Sequence, residues 1–333
     1  MIRIAHLSDP HINLKYHPTH LPRLRKVLTH ALTESRADHI VITGDISSNA
    51  EQRDLQAARR LFQELGILHP ERLSLVIGNH DIYGGPHLAE DLLSFPGRCN
   101  SRDYDRHVQD FYECYAETFV GTFGPLGSPF PFAKILGPVA ILGLNSIARS
   151  GTLKNPVGSN GKISDDEIEE FENLLKRKEV AKAEHRIALL HHHLFRRKDE
   201  GKLHTPPETN QLVHRFEHAT LKLRGKRKLF NVLNDGKVGA ALHGHIHFTG
   251  DYYRKGVLCL NGGGAVYPVN TDEELKYNLL TFAGESMESS VIEVNSRRRQ
   301  PVAKLPEMNG MNGNGKSNGK SSKEKQEREL EFA

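Results

Sequence analysis

Five times in this chain a short apolar run breaks off directly into histidine, aspartate or asparagine. The runs are "IRIAHLSDPH", closing on Asp9 and His11; "DHIVITGD", on Asp45; "RLSLVIGNHD", on Asn79, His80 and Asp81; "HRIALLHHH", on His191, His192 and His193; and "VGAALHGHIH", on His245 and His247. Each is long enough for a strand buried on both faces, and such strands belong to sheets covered by helices. In α/β sheets ligands bind beyond the carboxyl ends of the strands, where loops converge on one crevice. Five strand ends carrying these residues therefore predict a single shared site. A lone Asp-x-His or a lone "HGHIH" is readily a coincidence of surface residues. Coincidence does not explain all of them, each placed at the end of an apolar run.

Helical patterns lie between the runs. "EQRDLQAARRLFQELG", from Glu51 to Gly66, spaces Leu55, Ala58, Leu61, Phe62 and Leu65 along one helix face and ends on a glycine suited to a C-cap. "ISDDEIEEFENLLKRKEV" offers Ser164 as N-cap, acids in its first turn, and Ile168, Phe171, Leu174 and Leu175 as one face. Strand and helix in alternation make an α/β fold the economical reading. "FPFAKILGPVAILGLNS" reads as two strands around Gly137-Pro138, and "GDYYRKGVLCLNGGGAV" as a hairpin. With "YNLLTFAG" and "SSVIEV" they predict a second sheet, hence a two-sheet β-sandwich flanked by helices in four αββα layers. Gly262 to Gly264 read as a tight turn, the alternative being a close approach of the backbone to the site. Residues 1–300 form the expected domain, and the Asn-, Gly-, Ser- and Lys-rich residues 301–333 an expected disordered tail.

Composition narrows the function classes. A formal net charge of +4 over 333 residues makes no strong case for nucleic-acid binding. Three scattered cysteines without CxxC spacing argue for reduced thiols and against a disulfide framework or a thiolate zinc site. The amino terminus does not read as a signal peptide and no apolar window is long enough to span a bilayer, so a cytoplasmic protein, at most peripheral to a membrane, is expected.

Carboxylate, amide and imidazole ligands without thiolate favour Mn, Fe, Zn, Co or Ni over copper or iron–sulfur clusters, and neutral imidazole excludes a calcium-type site. Seven candidate ligands (Asp9, His11, Asp45, Asn79, one of the triple histidines, His245 and His247) are too many for one tetrahedral ion. They suit two ions about 3.5–4 Å apart sharing a bridging carboxylate, able to hold both an attacking hydroxide and the phosphoryl oxygens.

"SDPH", "TGD", "GNHD", "LHHH" and "HGHIH", in this order, resemble the calcineurin-like metallophosphoesterase family and its pattern DxH, GD, GNH[DE], H and GHxH. The resemblance implies a phosphoric ester hydrolase with two transition metal ions (Mn, Fe or Zn). Asp9, His11 and His247 would hold one ion, Asn79, His191 and His245 the other, with Asp45 between them. His80 would act as general acid or stabilise the leaving oxygen, and Asp81 would orient it, an N-cap being the structural alternative for Asp81. In the family the ligand is the first histidine after the apolar run. Strand alternation alone sets His191 and His193 against His192. His193 stands where the family usually has proline, which leaves the register between His191 and His192 open.

Substrate is less legible. The resemblance extends to small bacterial-type phosphodiesterases, including class III cyclic nucleotide phosphodiesterases, and the basic 196–228 segment is similar to the branch that cleaves a lipid-linked nucleotide sugar. A phosphodiester or pyrophosphate is the expected bond, and a cyclic nucleotide, a nucleotide sugar or another diester the expected phosphate-ester substrate. The segment reads as a funnel for an anionic substrate, a patch for peripheral membrane contact, or a solvated helix and loop. A phosphomonoesterase or protein phosphatase on the same site is the alternative, and a non-catalytic scaffold the remaining one.

Overall fold

The computed structural model describes residues 1–86, 91–195, 222–247, 249–266 and 275–294. The first sheet takes β1 (Ile2–Leu7), β2 (His39–Thr43), β3 (Leu73–Val76), β12 (Lys276–Ala283) and β13 (Ser286–Glu293) in the order β13-β12-β1-β2-β3. The second takes β4 (Phe132–Leu136), β5 (Val139–Gly143), β7 (His185–Leu189), β9 (Ala240–His243), β10 (Thr249–Arg254) and β11 (Val257–Gly262) in the order β10-β11-β9-β7-β5-β4. β1, β2 and β3 run parallel, as do β5, β7, β9 and β11. A two-stranded ribbon of β6 (Gly161–Lys162) and β8 (Leu223–Arg224) lies apart from both.

Side-chain alternation builds the layers. Along β5, Val139 and Ile141 join one apolar cluster with the first sheet, while Ala140 and Leu142 join a second cluster; β7 repeats this with Ile187 and Leu189 against Ala188. Leu24, Val27, Leu28 and Ala31 of α1 (His20–Thr33), and Leu55, Ala58, Leu61 and Phe62 of α2 (Gln52–Glu64), pack with the first cluster. Phe171 and Leu174 of α6 (Asp165–Lys176), with Leu229, Phe230 and Leu233 of α8 (Lys226–Asp235), pack with the second. The result is the four-layer α/β sandwich the sequence predicts.

Two details differ. "YNLLTFAG" and "SSVIEV" are the hairpin β12–β13, and it closes the first sheet instead of extending the second. β1 has β2 on one edge, and its other edge pairs antiparallel with β12 from Ile2↔Phe282 to His6↔Asn278, which satisfies backbone groups buried in the core. The triple histidine also lies past the end of β7, so strand alternation does not govern it. Among the described residues no helix is long and apolar enough to cross a membrane. Residues 196–221 of the basic segment and the tail 301–333 lie outside the described residues. Of the segment's remaining cations, Lys226 Nζ donates to the Phe195 carbonyl (3.0 Å) and Lys228 pairs with Asp165 (2.5 Å).

Candidate metal centre

All five ligand-bearing runs end at one place. Asp9, Asp45 and Asn79 follow β1, β2 and β3 of the first sheet, and His191 and His245 follow β7 and β9 of the second. The chain turns sharply there: Asp9, His11, Asp45 and His245 all have left-handed backbones, with φ of 56°, 43°, 53° and 72°. Such conformations cost roughly 1–3 kcal/mol each and persist only where the surroundings enforce them. Here Asp9 N donates to Gly44 O (3.1 Å) and His11 N to Asp45 O (2.9 Å), and His245 N points at both Asp9 carboxylate oxygens (3.1 Å). The glycines of the "GNHD" and "GHIH" motifs are there for lack of room. A Cβ on Gly78 would fall 2.1 Å from Asp45 N, and one on Gly244 1.9 Å from Ser8 Oγ.

Side chains meet in two groups around one carboxylate. His11 Nε2 lies 2.9 Å from His247 Nε2, and each of these atoms is 4.0 Å from Asp9 Oδ1. His191 Nε2 lies 3.0 Å from both Asn79 Oδ1 and His245 Nδ1. Asp45 Oδ2 faces both groups, 3.7 Å from His11 Nε2 and 3.4 Å from His191 Nε2. Asp9, His11 and His247, and separately Asp45, His191 and His245, offer ligand atoms close enough together to hold an ion.

Chemistry of the donor set fits cations. The Nδ1–H of His191 is placed to donate to the Thr43 carbonyl at 2.8 Å, which leaves Nε2 as the ring atom facing the oxygens of Asn79 and Asp45. Burial opposes charge on His191, yet Asp45 outweighs it and holds this imidazole up at about 9, a position where positive charge is favoured. Burial, assisted by His80, pushes His11 well down; burial and His192 do the same to His245, and burial takes His247 to about 4, leaving neutral rings of the kind metals bind. Burial raises the Asp9 carboxyl to about 7, with His191 pulling against it and Asp45 adding to it. Burial also acts upward on Asp45, but His191 and His80 hold it well below the usual carboxylate range.

The other residues singled out from the sequence lie close by. His191 sits inside the cluster. His192 turns its Nδ1 to Ser146 Oγ (2.9 Å) and its Nε2 toward Ser159 O (3.2 Å), while its ring lies against that of His245 at 4.4 Å. His193 is buried against Phe195, ring to ring at 4.1 Å. His80 lies in the short helix α3 (Asn79–Ile82), its amide donating to Asp45 Oδ1 (2.7 Å), its Nδ1 facing Ser48 O (3.1 Å) and its ring edge-on to His11 at 4.6 Å. Asp81 accepts from Ser47 N (2.8 Å) and Gly78 N (2.9 Å), which caps α3 and ties it to the loop carrying Asp45. Burial and the neighbouring Asp45 raise its carboxyl to about 8. Gly263 and Gly264 do form a turn, and the turn also approaches the centre, since a Cβ on Gly263 would sit 3.0 Å from Asp9 Oδ2. Thr43 and Ser146 were not anticipated: one acts through a backbone carbonyl, the other is a serine amid apolar sequence, and neither carries a periodic signal.

A four-layer α/β sandwich that gathers Asp, Asn and His at the strand ends of both sheets defines a metallophosphoesterase-type protein. The family model described as calcineurin-like phosphoesterase matches residues 2–249, and the chain belongs to that family. The sequence matches no curated protein. Solved structures share the fold at low identity. One is GAP50, the anchor in the inner membrane complex of Plasmodium, at 10% identity, TM-score 0.51, and coverage of 92% of this chain and 90% of that one. Another is a purple acid phosphatase from yellow lupin seeds, at 15% identity and TM-score 0.51, covering 90% of this chain; the chain spans 52% of the lupin enzyme's length.

Proposed function

We propose that this phosphoesterase family member hydrolyses a phosphodiester or pyrophosphate bond at a dinuclear metal centre. The observation that carries the reading is Asp45 Oδ2, which faces His11 of one ligand group and His191 of the other. Asp9, His11 and His247 would hold one ion, Asn79, His191 and His245 the second, with Asp45 shared. The nitrogen and oxygen donor set suits Mn, Fe or Zn. When bound, such ions supply Lewis acidity to the phosphoryl oxygens and to the attacking water.

The chain's own groups do the rest. The Asp9–His245 bonds hold the two sheets' contributions in register. The Ser48 carbonyl takes the Nδ1–H of His80 and fixes its ring, so that Nε2 is the atom presented to the leaving oxygen. Asp81 secures this arrangement through the backbone, by anchoring α3 to Ser47. The choice of a diester or pyrophosphate over a monoester rests on the motif resemblance, and a cytoplasmic setting on composition.

The test is hydrolysis of bis(p-nitrophenyl) phosphate against p-nitrophenyl phosphate with Mn supplied, with metal content measured on the same protein. The expected outcome is metal-dependent turnover, faster on the diester, reduced at least about 10²-fold in Asp45→Ala together with its metal content. Equal activity in Asp45→Ala overturns the mechanism, and a monoester preference overturns the bond assignment.

A further inference from the structure

Two buried asparagines outside the ligand set join the sheets. Asn278 of β12 and Asn261 of β11 are fully buried, and strand register sets Asn278 directly beside His6 of β1. Asn278 Nδ2 lies 3.0 Å from the Asn261 carbonyl and 3.2 Å from His6 Nδ1. A carbonyl can only accept, so the amide nitrogen is the atom that faces it, and the second hydrogen of that nitrogen goes to His6 Nδ1. His6 then carries its own proton on Nε2, which donates to Thr43 Oγ1 at 3.0 Å. Burial first, and His243 second, push this histidine well down and keep it in that neutral form. The Asn278 oxygen finds no hydrogen-bond partner among the described residues, so the contacts use the NH2 end of the amide. Both branches end on backbone that carries ligands. On one, Asn261 Nδ2 donates to the Ile246 carbonyl at 3.0 Å, between His245 and His247, while Asn261 Oδ1 stands 3.4 Å from Gly263 N. That carbonyl has no slack around it, since a Cβ on Gly263 would fall 2.2 Å away. On the other, Thr43 presents the carbonyl that accepts from His191 Nδ1 (2.8 Å) and from Ser8 Oγ (3.0 Å).

Resting on the reading of the centre given above, we propose that Asn278 and Asn261 are positioning residues: their amides set the turn between His245 and His247 and, by way of His6, the Thr43 carbonyl behind His191. They act through His6 and through backbone carbonyls. The affinity of a histidine ligand depends on the direction of its ring, and a partner held in place fixes that direction. Asn278 is the hub, because its two N–H bonds feed one branch each, while the Asn261 side chain serves the turn alone. Both asparagines lie past residue 249, where the match to the family ends. β12 reaches the centre because its hairpin closes the first sheet beside β1.

The experiment uses the full chain and compares Asn278→Leu and Asn261→Leu with Tyr277→Phe. Tyr277 is the neighbour of Asn278 on β12 and equally buried, and the bonds it would lose, to Ser35 Oγ (2.7 Å) and His30 Nδ1 (3.0 Å), lead to α1 and the residue following its C-cap. Mn binding is read by equilibrium dialysis on protein whose urea transition shows it folded. Asn278→Ser and Asn261→Ser, too short to span these bonds, stand in for a leucine variant that does not fold. The asparagine variants are expected to bind Mn at least about tenfold more weakly than the unmodified chain, and Tyr277→Phe within about twofold of it. Long-range proton–nitrogen NMR spectra of the metal-free protein read the same contacts without an ion. His6 is expected with its proton on Nε2, and the His191 ring signals are expected to move in the Asn278 variant and to stay in place in Tyr277→Phe. Unchanged Mn affinity in the asparagine variants, an equal loss in Tyr277→Phe, or a His6 proton on Nδ1 overturns the positioning role. An unmodified chain that takes up no Mn overturns the reading of the centre instead, and the ring spectra still decide on the contacts.

Discussion

At the scale of single residues the three adjacent histidines do different work. His191 points both ring nitrogens at the centre's framework, one to the Thr43 carbonyl and one among Asn79, His245 and Asp45. His192 spends its Nδ1 and Nε2 on Ser146 and Ser159 and touches the centre only through the face of His245. Removing a ligand and removing a neighbour of a ligand should therefore part in magnitude. His191→Ala is expected to lower Mn affinity at least about tenfold more than His192→Ala, whose own effect should stay within the 10–100-fold typical of supporting groups. Equilibrium dialysis against Mn for the two variants checks this, and equal losses would refute it. These residues also show what a sequence makes visible. The ligand types and their order were legible because strand ends are fixed by where apolar runs stop. The register within "HHH" was not legible, because β7 ends at Leu189 and the following backbone no longer alternates. Nor was the strained backbone at Asp9, His11, Asp45 and His245, which arises from contacts between residues more than thirty positions apart, such as Asp9 N to Gly44 O.

At the scale of elements, local chemistry predicted the helices that carry strong end signals. α6 is the clearest. Ser164 Oγ accepts from Glu167 N (3.1 Å), and Glu167 Oε2 accepts in return from Ser164 N (3.1 Å), so two amides at the helix start are satisfied at once. Its buried face is Ile168, Phe171, Leu174 and Leu175, as the spacing implies, and a break at Arg177 separates it from α7 (Lys178–Ala181). Ser164→Ala removes one of the paired bonds and should cost about 1 kcal/mol, read as a lower urea midpoint with an unchanged slope. Phosphoesterase activity should be unaffected, because α6 packs on the outer face of the second sheet, with that sheet between it and β1–β3. An activity loss matching the stability loss would show that the helix reaches the centre. The assignment of β12–β13 to a sheet was harder to read for the opposite reason. A hairpin's own turn and alternation say that two strands pair, but its partner edge is decided by a strand some 280 positions away, Ile2 against Phe282.

At the scale of the whole molecule, the fold buries polar residues in its core as well as at the centre, and these tie stability to pH. His39 opens β2, fully buried, with Nδ1–H donating to Glu71 O and Nε2 accepting from Ser74 Oγ, both at 2.8 Å. In the neutral form the serine hydroxyl donates to Nε2; protonation would reverse that bond and place a positive charge in a fully buried strand. Burial first, and the nearby Lys134 second, push this histidine from 6.5 down to about 3. Lys134 itself is held by three carbonyls, those of Pro70, Leu73 and Thr118. The sign follows from which state takes up the proton. Below 6.5 the unfolded chain protonates His39 while the folded chain does not until about 3, so the unfolded state gains with each step toward acid. The contribution of His39 is present in full above 6.5 and is lost as pH falls toward 3, with a limiting slope of about 1.4 kcal/mol per pH unit. His6 and His243 are likewise pushed down, by burial first, so the unmodified chain sums several such slopes of one sign. His39→Gln keeps a polar side chain between Glu71 and Ser74 but cannot titrate. Urea unfolding of the two proteins between pH 7.5 and 4.5 should then give curves that converge toward acid: the variant is less stable at pH 7.5, and its stability falls less steeply below pH 6, the slopes differing by as much as about 1.4 kcal/mol per unit. Parallel curves over that range would mean that His39 takes its proton in the folded state as readily as in the unfolded one.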